Sequence, residues 1–144
     1  MRYADTCLLL SLVYRDPGSE AALAWLEQVG TGEILTSHWA LTEFVSAAGI
    51  MARRGDIDPR LHREGLAHCR RFVAARLQVE TPIAADFERA AVWLEDYASG
   101  LRAGDALHLS IAARVGAVLC SADKTLLAAA AALGLAIEAV QQQP

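Results

Sequence analysis

Three aspartates stand close to points where a short apolar segment meets a predicted helix. Asp5 follows the apolar segment 2–4, Asp123 follows segment 117–120, and Asp105 begins the predicted helix that leads into segment 117–120. Aspartate is favoured at the start of a helix, because its carboxylate accepts free backbone N–H groups and suits the positive end of the helix dipole. Taken one at a time, each aspartate is therefore explained by helix capping.

Glu43 needs a different explanation, because it lies inside the predicted helix 37–54. At about 100° per residue, its neighbours on the same helix face are Trp39, Ala40, Ala47 and Ile50. An ionised glutamate among apolar side chains is costly unless a cation compensates it. The partner that Glu43 requires is either an arginine or a divalent metal ion.

A divalent metal ion would give all four acids a common purpose. Carboxylates without an adjacent pair of lysines or histidines form a hard oxygen site, which suits Mg²⁺ or Mn²⁺. Clustered carboxylates repel one another, so cations must neutralise them. Bound metal ions can lower the pKa of a water molecule and stabilise the charge on a phosphate during an in-line displacement. The candidate catalytic and metal-ligating residues are therefore Asp5, Glu43, Asp105 and Asp123.

The elements that would position these acids alternate along the chain. Apolar segments typical of strands cover residues 2–4, 33–36, 77–79, 117–120 and 135–140. Helical patterns cover residues 7–14, 19–29, 37–54, 59–76, 84–97, 105–115 and 123–133. This alternation predicts an α/β fold in which helices cover both faces of a parallel sheet. Ligands of such sheets bind at the carboxyl ends of the strands, where the aspartates are expected.

Four motifs carry the acids in chain order: "YADTCLLLSLVY" with Asp5, "LTEFVSA" with Glu43, "LRAGDALHLSIA" with Asp105, and "CSADKTLL" with Asp123. The ordered set resembles the PIN domain family, and in particular the VapC toxins of toxin–antitoxin pairs, from residue 2 to about residue 140. The resemblance implies a three-layer α/β/α fold with a central parallel sheet. It also implies Mg²⁺ or Mn²⁺ held by the four acids, endoribonuclease activity on an RNA substrate, and hydroxyls beside the metal ligands at Thr6 and Ser121.

Basic and imidazole side chains form a second group of candidates. Arg102 and Lys124 flank the acids, where they either contact the scissile phosphate or relieve carboxylate repulsion. A run of arginines in segment 53–76 forms either a solvated helix face or a surface that binds phosphates, since arginine binds phosphate oxygens bidentately. The histidines lack a metal-binding spacing, so His108 is expected to be a packed or half-exposed residue rather than a ligand.

Length, composition and charge limit the class of protein. With 144 residues, of which 54% are hydrophobic, the chain is predicted to form one domain over residues 1–140 with a polar tail at 141–144. Its apolar runs are shorter than the about 20 residues that a membrane helix needs. The net charge of −4 gives no overall attraction to nucleic acid. Cys7, Cys69 and Cys120 are predicted to be buried free thiols of a cytoplasmic protein.

Two other classes of function compete with the nuclease. A catalytically silent PIN-like module, which binds RNA or protein without cleaving, would be marked by loss of an acid, but all four acids are present. A receiver-like signalling domain needs a phosphoacceptor aspartate after a central strand and a lysine after a later one. Here the central strand candidate runs into Glu80, and Lys124, the only lysine, directly follows Asp123. These residues exclude the receiver class.

The apolar segment 7–14, "CLLLSLVY", predicts a protein partner. A helix that is apolar on nearly every side must be covered on the side that faces away from the sheet. The PIN resemblance implies two candidates, a second copy of the chain in a homodimer and a cognate antitoxin. A charged residue at Leu9 or Leu12 is expected to weaken such a complex more than it weakens metal binding.

Overall fold

A parallel sheet of five strands runs through the part of the chain that the structure describes, residues 1–30 and 32–141 of a computed structural model. The strands are β1 (Arg2–Ala4), β2 (Ile34–Ser37), β3 (Gln78–Glu80), β4 (Val118–Ser121) and β5 (Ile137–Ala139). Their order is β3-β2-β1-β4-β5, and each neighbouring pair is parallel. The chain builds the sheet to one side of β1 and then to the other, so its switch point lies between β1 and β4.

Helices connect these strands, as expected for a parallel sheet. Those in the described residues are α1 (Thr6–Val13), α2 (Ser19–Gln28), α3 (His38–Arg54), α4 (Pro59–Arg76), α5 (Ala84–Leu94), α6 (Ala103–Arg114) and α7 (Lys124–Ala132). The predicted α/β fold class is thereby confirmed. Most predicted bounds differ from these by one or two residues, and those of α4 are correct because Asp58 caps its first turn and Pro59 begins it.

The predicted helix 84–97 is too long. α5 ends at Leu94, and the following residues leave the α-helical hydrogen-bond pattern. A separate short 3-10 helix, Tyr97–Ser99, follows, and the Asp96 carboxylate caps it by accepting from the backbone N–H of Ala98 at 3.2 Å. A local aspartate cap therefore divides a segment whose apolar spacing alone suggested one helix.

The sheet separates two apolar cores, because successive residues of a strand point to opposite faces. Ala4 faces a core shared with α1 to α4, in which Leu8 and Phe44 are buried. Tyr3 faces a second core shared with α6 and α7, in which Leu109 is buried. These two cores form the three-layer α/β/α arrangement that the sequence resemblance implied, and that prediction is confirmed.

The expectation that Cys7 is buried is wrong, and a substitution at Leu9 would not test a partner. Cys7 is exposed, because the second residue of α1 faces the open cleft beyond the sheet, whereas Cys69 and Cys120 are buried as predicted. Leu9 is completely buried in the core beneath α1, so a charged residue there would disrupt folding before it tested a partner. Leu12 is only partly buried.

The structure also bears on two other predictions, the absence of a membrane helix and the polar tail. Within the described residues, no helix is both long and apolar enough to cross a membrane. Of the predicted tail at 141–144, Gln141 is exposed, and residues 142–144 lie outside the described part of the chain. The boundary between domain and tail stays a prediction.

Close packing of α4 depends on a glycine. Gly65 lies against the ring of Tyr14, and a methyl group at position 65 would come within 2.2 Å of Cζ of that ring. The ring cannot easily move aside, because Tyr14 is buried and stacks on Phe44 at a centroid distance of 5.8 Å. Only a residue without a side chain fits at position 65 in this packing.

We predict that Gly65→Ala lowers the free energy of unfolding by about 1–3 kcal/mol, because it overpacks a buried aromatic contact. Gly49→Ala in α3 is the matched control, since a methyl group there meets only the end of the Arg53 side chain, at 3.4 Å. That control is expected to be neutral or stabilising by up to about 1 kcal/mol. Urea denaturation of both variants checks the contrast, and equal stabilities would contradict the packing account.

Candidate functional site

An open cleft of about 630 Å³ lies at the carboxyl end of the sheet, beside the switch point between β1 and β4. All four predicted acids line it: Asp5, Glu43, Asp105 and Asp123. They come from four places in the chain, the ends of β1 and β4 and the helices α3 and α6. The fold therefore brings together the acids that were selected from the sequence.

Asp5 is the most deeply buried of the four, with 2% of its surface exposed. It caps α1, because its Oδ1 accepts the backbone N–H of Leu8 at 2.8 Å, and its Oδ2 accepts a hydrogen bond from the Ser121 hydroxyl. Burial raises the pKa of Asp5 above its ordinary value, and these hydrogen bonds oppose part of that shift. An ionised Asp5 is thus held by the protein but would gain from a nearby cation.

Ser121 connects Asp5 to Asp123. Its hydroxyl donates to Asp5 and accepts the backbone N–H of Asp123 at 2.9 Å. Asp123 in turn caps α7 as predicted, because its Oδ1 accepts the N–H groups of Thr125 at 2.8 Å and Leu126 at 3.1 Å. One buried hydroxyl at the end of β4 therefore holds the carboxylate of Asp5 and the backbone of Asp123.

The partner of Glu43 is His108, which the sequence analysis did not select as a functional residue. Its Oε2 accepts from Nε2 of His108 at 2.5 Å and from the Thr6 hydroxyl at 2.7 Å. Burial alone would raise the pKa of Glu43, but the hydrogen bonds from His108 and Thr6 outweigh it and leave the pKa below its ordinary value. The partner of Glu43 within the chain is therefore a histidine, not the arginine considered from the sequence.

His108 is held on both ring nitrogens. It is 2% exposed, as expected for a packed residue, but its Nδ1 lies 2.8 Å from the Tyr3 hydroxyl, which lies 2.7 Å from Oγ of Ser37. Sequence reasoning missed this connection to Glu43. The only available signal was the spacing in "GDALH", which places His108 one turn after Asp105 on α6.

Asp105 lines the cleft but does not begin its helix. α6 starts at Ala103 with Arg102 at the cap position, and Asp105 lies in the first turn. Burial raises the pKa of Asp105, and the charge of Asp123 adds to the increase. A hydrogen bond from the backbone of Arg102 opposes part of this increase. Asp105 is not the N-cap residue that was predicted, since it is the third residue of the helix, but its carboxylate accepts a hydrogen bond from the backbone N–H of Arg102 at the cap.

The predicted basic residues lie in different places. Arg102 is exposed and lines the cleft, so its guanidinium can reach an anion bound there. Lys124 is exposed at the first position of α7, outside the residues that line the cleft. Thr6 and Ser121, whose hydroxyls were expected beside the acids, contact Glu43 and Asp5 directly.

The donor set of the cleft suits a hard divalent cation, because it offers four carboxylates. Within the described part of the chain, no three histidine, cysteine, aspartate or glutamate side chains are gathered closely enough to hold a metal ion as they stand. Mutual repulsion between ionised carboxylates opposes a closer approach. The residues fit Mg²⁺ or Mn²⁺ by chemistry, and binding would require the carboxylates to converge.

We predict that Asp105→Asn raises the melting temperature of the metal-free protein at pH 7 by a few degrees. A carboxyl group whose folded-state pKa is raised destabilises the fold when ionised, and this cost disappears as the pH falls below the unfolded pKa of about 3.9. The difference in melting temperature between the variant and the parent should therefore become smaller as the pH is lowered. Differential scanning calorimetry with a chelator checks this, with exposed Asp56→Asn as control. A lower melting temperature at pH 7 would show that Asp105 mainly stabilises α6.

Comparison with known proteins agrees with this geometry. The model of the PIN domain family matches residues 2–132. No curated protein matches the sequence. Among solved structures, the chain is similar to VapC20 of Mycobacterium tuberculosis, a sarcin-ricin loop cleaving toxin, with a TM-score of 0.71, 20% identity, and coverage of 90% of this chain and 95% of that one.

Two further structures share the fold. FitAcB from Neisseria gonorrhoeae has a TM-score of 0.67 at 16% identity, covering 95% of this chain and 96% of that one. VapBC-1 from nontypeable Haemophilus influenzae has a TM-score of 0.68 at 14% identity, covering 96% of this chain and 98% of that one. The likeness at these identities concerns the fold, whereas the family match extends over most of the sequence. The resemblance predicted from the four acidic motifs is confirmed, and the chain belongs to the PIN domain family.

Proposed function

We propose that this PIN domain is a Mg²⁺- or Mn²⁺-dependent endoribonuclease and the toxin of a VapBC-type toxin–antitoxin pair. The observation that carries the proposal is the position of four acids, Asp5, Glu43, Asp105 and Asp123, around one cleft at the switch point of the sheet. The similarity to VapC20, which cleaves the sarcin-ricin loop, supports RNA as the substrate class.

The reaction that suits this cleft is hydrolysis of a phosphodiester bond by water, leaving a 5′-phosphate and a 3′-hydroxyl. A divalent cation held by the four acids would supply charge that lowers the pKa of a water molecule and stabilises a phosphate under attack. Asp5 and Asp123 are oriented by Ser121 and by backbone N–H groups. Arg102, exposed at the cleft, is placed to bind the phosphate through charge-assisted hydrogen bonds.

One face of α3 extends the cleft toward the predicted basic segment 53–76. Glu43, Ala47 and Ile50 line the cleft, and at 100° per residue Arg54 lies within about 20° of Glu43 and about 16 Å farther along the axis. Arg54 is exposed. We therefore assign it to the RNA surface, where it would bind a phosphate away from the point of cleavage.

A cognate antitoxin is the proposed protein partner, with a homodimer of the chain as the second assembly and the cytoplasm as its location. VapBC and FitAB complexes are among the similar solved structures, which supports an antitoxin. An arginine of the antitoxin placed against the four acids would replace the charge of the metal ion and so inhibit the nuclease.

We predict that Asp5→Asn lowers the rate of RNA cleavage by at least about 100-fold while the fold survives, because asparagine keeps the cap of α1 but removes a ligand charge. Mapping RNA ends from cells that express the parent or the variant identifies the cleaved sites, and Asp56→Asn controls for a change of charge. With the purified protein, a chelator should abolish cleavage and Mn²⁺ should restore it. Cleavage that persists in the chelator would contradict this mechanism. Specific RNA binding without any cleavage by the parent would favour the silent module.

We predict that Arg54→Gln weakens RNA binding and reduces the slope of log affinity against log salt concentration by about 0.7, the value for one phosphate on a single strand. Fluorescence anisotropy with a labelled single-stranded RNA, in the uncleaving Asp5→Asn protein, measures the slope. Arg71→Gln is the matched control, because Arg71 is exposed about 200° around α4 from buried Cys69. Equal losses in both variants would indicate only a general charge effect.

A further inference from the structure

The two carboxylate oxygens of Glu43 have different surroundings. Oε2 accepts both hydrogen bonds, from Thr6 at 2.7 Å and from His108 at 2.5 Å. Oε1 accepts no hydrogen bond from the residues that the structure describes. It lies beside Gly104 instead, so close that a methyl group at position 104 would stand 2.5 Å from it. One oxygen is therefore occupied by the protein, and the other remains available.

His108 is arranged to donate to Glu43 through Nε2. A carboxylate oxygen accepts, so the hydrogen between Nε2 and Oε2 belongs to the imidazole. On the other side of the ring, Nδ1 faces the Tyr3 hydroxyl, which can either donate to Nδ1 or accept from it while its contact with Ser37 takes the opposite direction. This buried chain of hydrogen bonds keeps the Nε2 donor directed at Glu43 in both arrangements.

Gly104 cannot easily move away from Glu43. Its carbonyl oxygen accepts a hydrogen bond from Nε1 of Trp39 at 3.2 Å, which ties the first turn of α6 to α3. A methyl group at position 104 would also approach Cζ2 of Trp39 at 3.4 Å. An alanine there must therefore push the Glu43 carboxylate away from its bonds with Thr6 and His108, because that carboxylate is the more flexible neighbour.

We infer that Glu43 offers a bound cation one oxygen only, Oε1, and that His108 and Gly104 are positioning residues for this ligand. His108, with Thr6, holds Oε2, and the absence of a side chain at Gly104 provides the space for Oε1. The inference rests on the proposed function, since it takes Glu43 to be a metal ligand. Neither positioning residue contacts the cation, and both act through the glutamate.

The test compares Mn²⁺ binding by calorimetry in the parent, Gly104→Ala, Gly49→Ala and Glu43→Gln. Mutation of a residue that supports a metal ligand typically costs at least about 10-fold in metal affinity. Gly104→Ala should therefore raise the dissociation constant for Mn²⁺ by about 10-fold. Gly49→Ala, a glycine-to-alanine change in a helix away from the cleft lining, should bind like the parent. Glu43→Gln should bind most weakly.

A second readout needs no metal. In the ¹⁵N-labelled metal-free protein, the Nε2 resonance of His108 should report its hydrogen bond to Glu43, shift in Gly104→Ala, and stay in place in Gly49→Ala. If Gly104→Ala fails to fold, Thr6→Val supplies the test, because it removes the second donor to Oε2 without changing the backbone of α6. This variant should also weaken Mn²⁺ binding.

Parent-like Mn²⁺ binding in both Gly104→Ala and Thr6→Val would overturn the inference, while a loss in Glu43→Gln alone would leave the proposed function intact. Failure of the parent to bind Mn²⁺ would overturn the proposed function and the inference together.

Discussion

The burial of the Asp5 carboxylate at the end of β1 is the constraint on which the rest of the site depends. An ionised carboxylate that is almost entirely removed from water costs several kcal/mol unless hydrogen bonds or cations replace its hydration. The N-terminus of α1 supplies one hydrogen bond through Leu8, and the end of β4 supplies another through Ser121. The parallel register that sets Ala4 opposite Cys120 brings these groups within reach. The order of the strands therefore determines which hydrogen-bond donors the buried carboxylate of Asp5 can reach.

The acids of the cleft are supported in two different ways. Asp5 and Asp123 follow strands and are held largely by backbone N–H groups, which move only if the helices move. Glu43 stands on a helix and is held by side chains, those of Thr6 and His108. The strand side of the cleft is therefore fixed by the fold, whereas the position of Glu43 depends on packing between α3 and α6. Small changes at that contact are the most direct way to alter the site without altering the sheet.

Features that depend on neighbouring residues were predictable from the sequence, and features that depend on distant residues were not. The caps at Asp5, Asp58 and Asp123 could be predicted because each contacts residues within its own first helical turn. Asp105 was placed at the N-cap position in error, because Arg102 is not a favoured capping residue and gave no sign that α6 starts before Asp105.

The partner of Glu43 could not be predicted, because His108 is 65 residues away along the chain. The nearly uniform apolar character of α1 likewise hid which side is buried, so the sequence did not distinguish buried Leu9 from exposed Cys7.

The central claim is that the four carboxylates of the cleft hold a catalytic divalent cation. Anomalous diffraction from crystals grown with Mn²⁺ tests it most directly, because the anomalous signal near the manganese absorption edge both locates the ion and distinguishes it from a water molecule. We predict an anomalous peak in the cleft, within bonding distance of Asp5 and of Oε1 of Glu43, about 2.0–2.2 Å for an ion of this kind. An empty cleft at saturating Mn²⁺, or a peak only elsewhere on the protein, would contradict it.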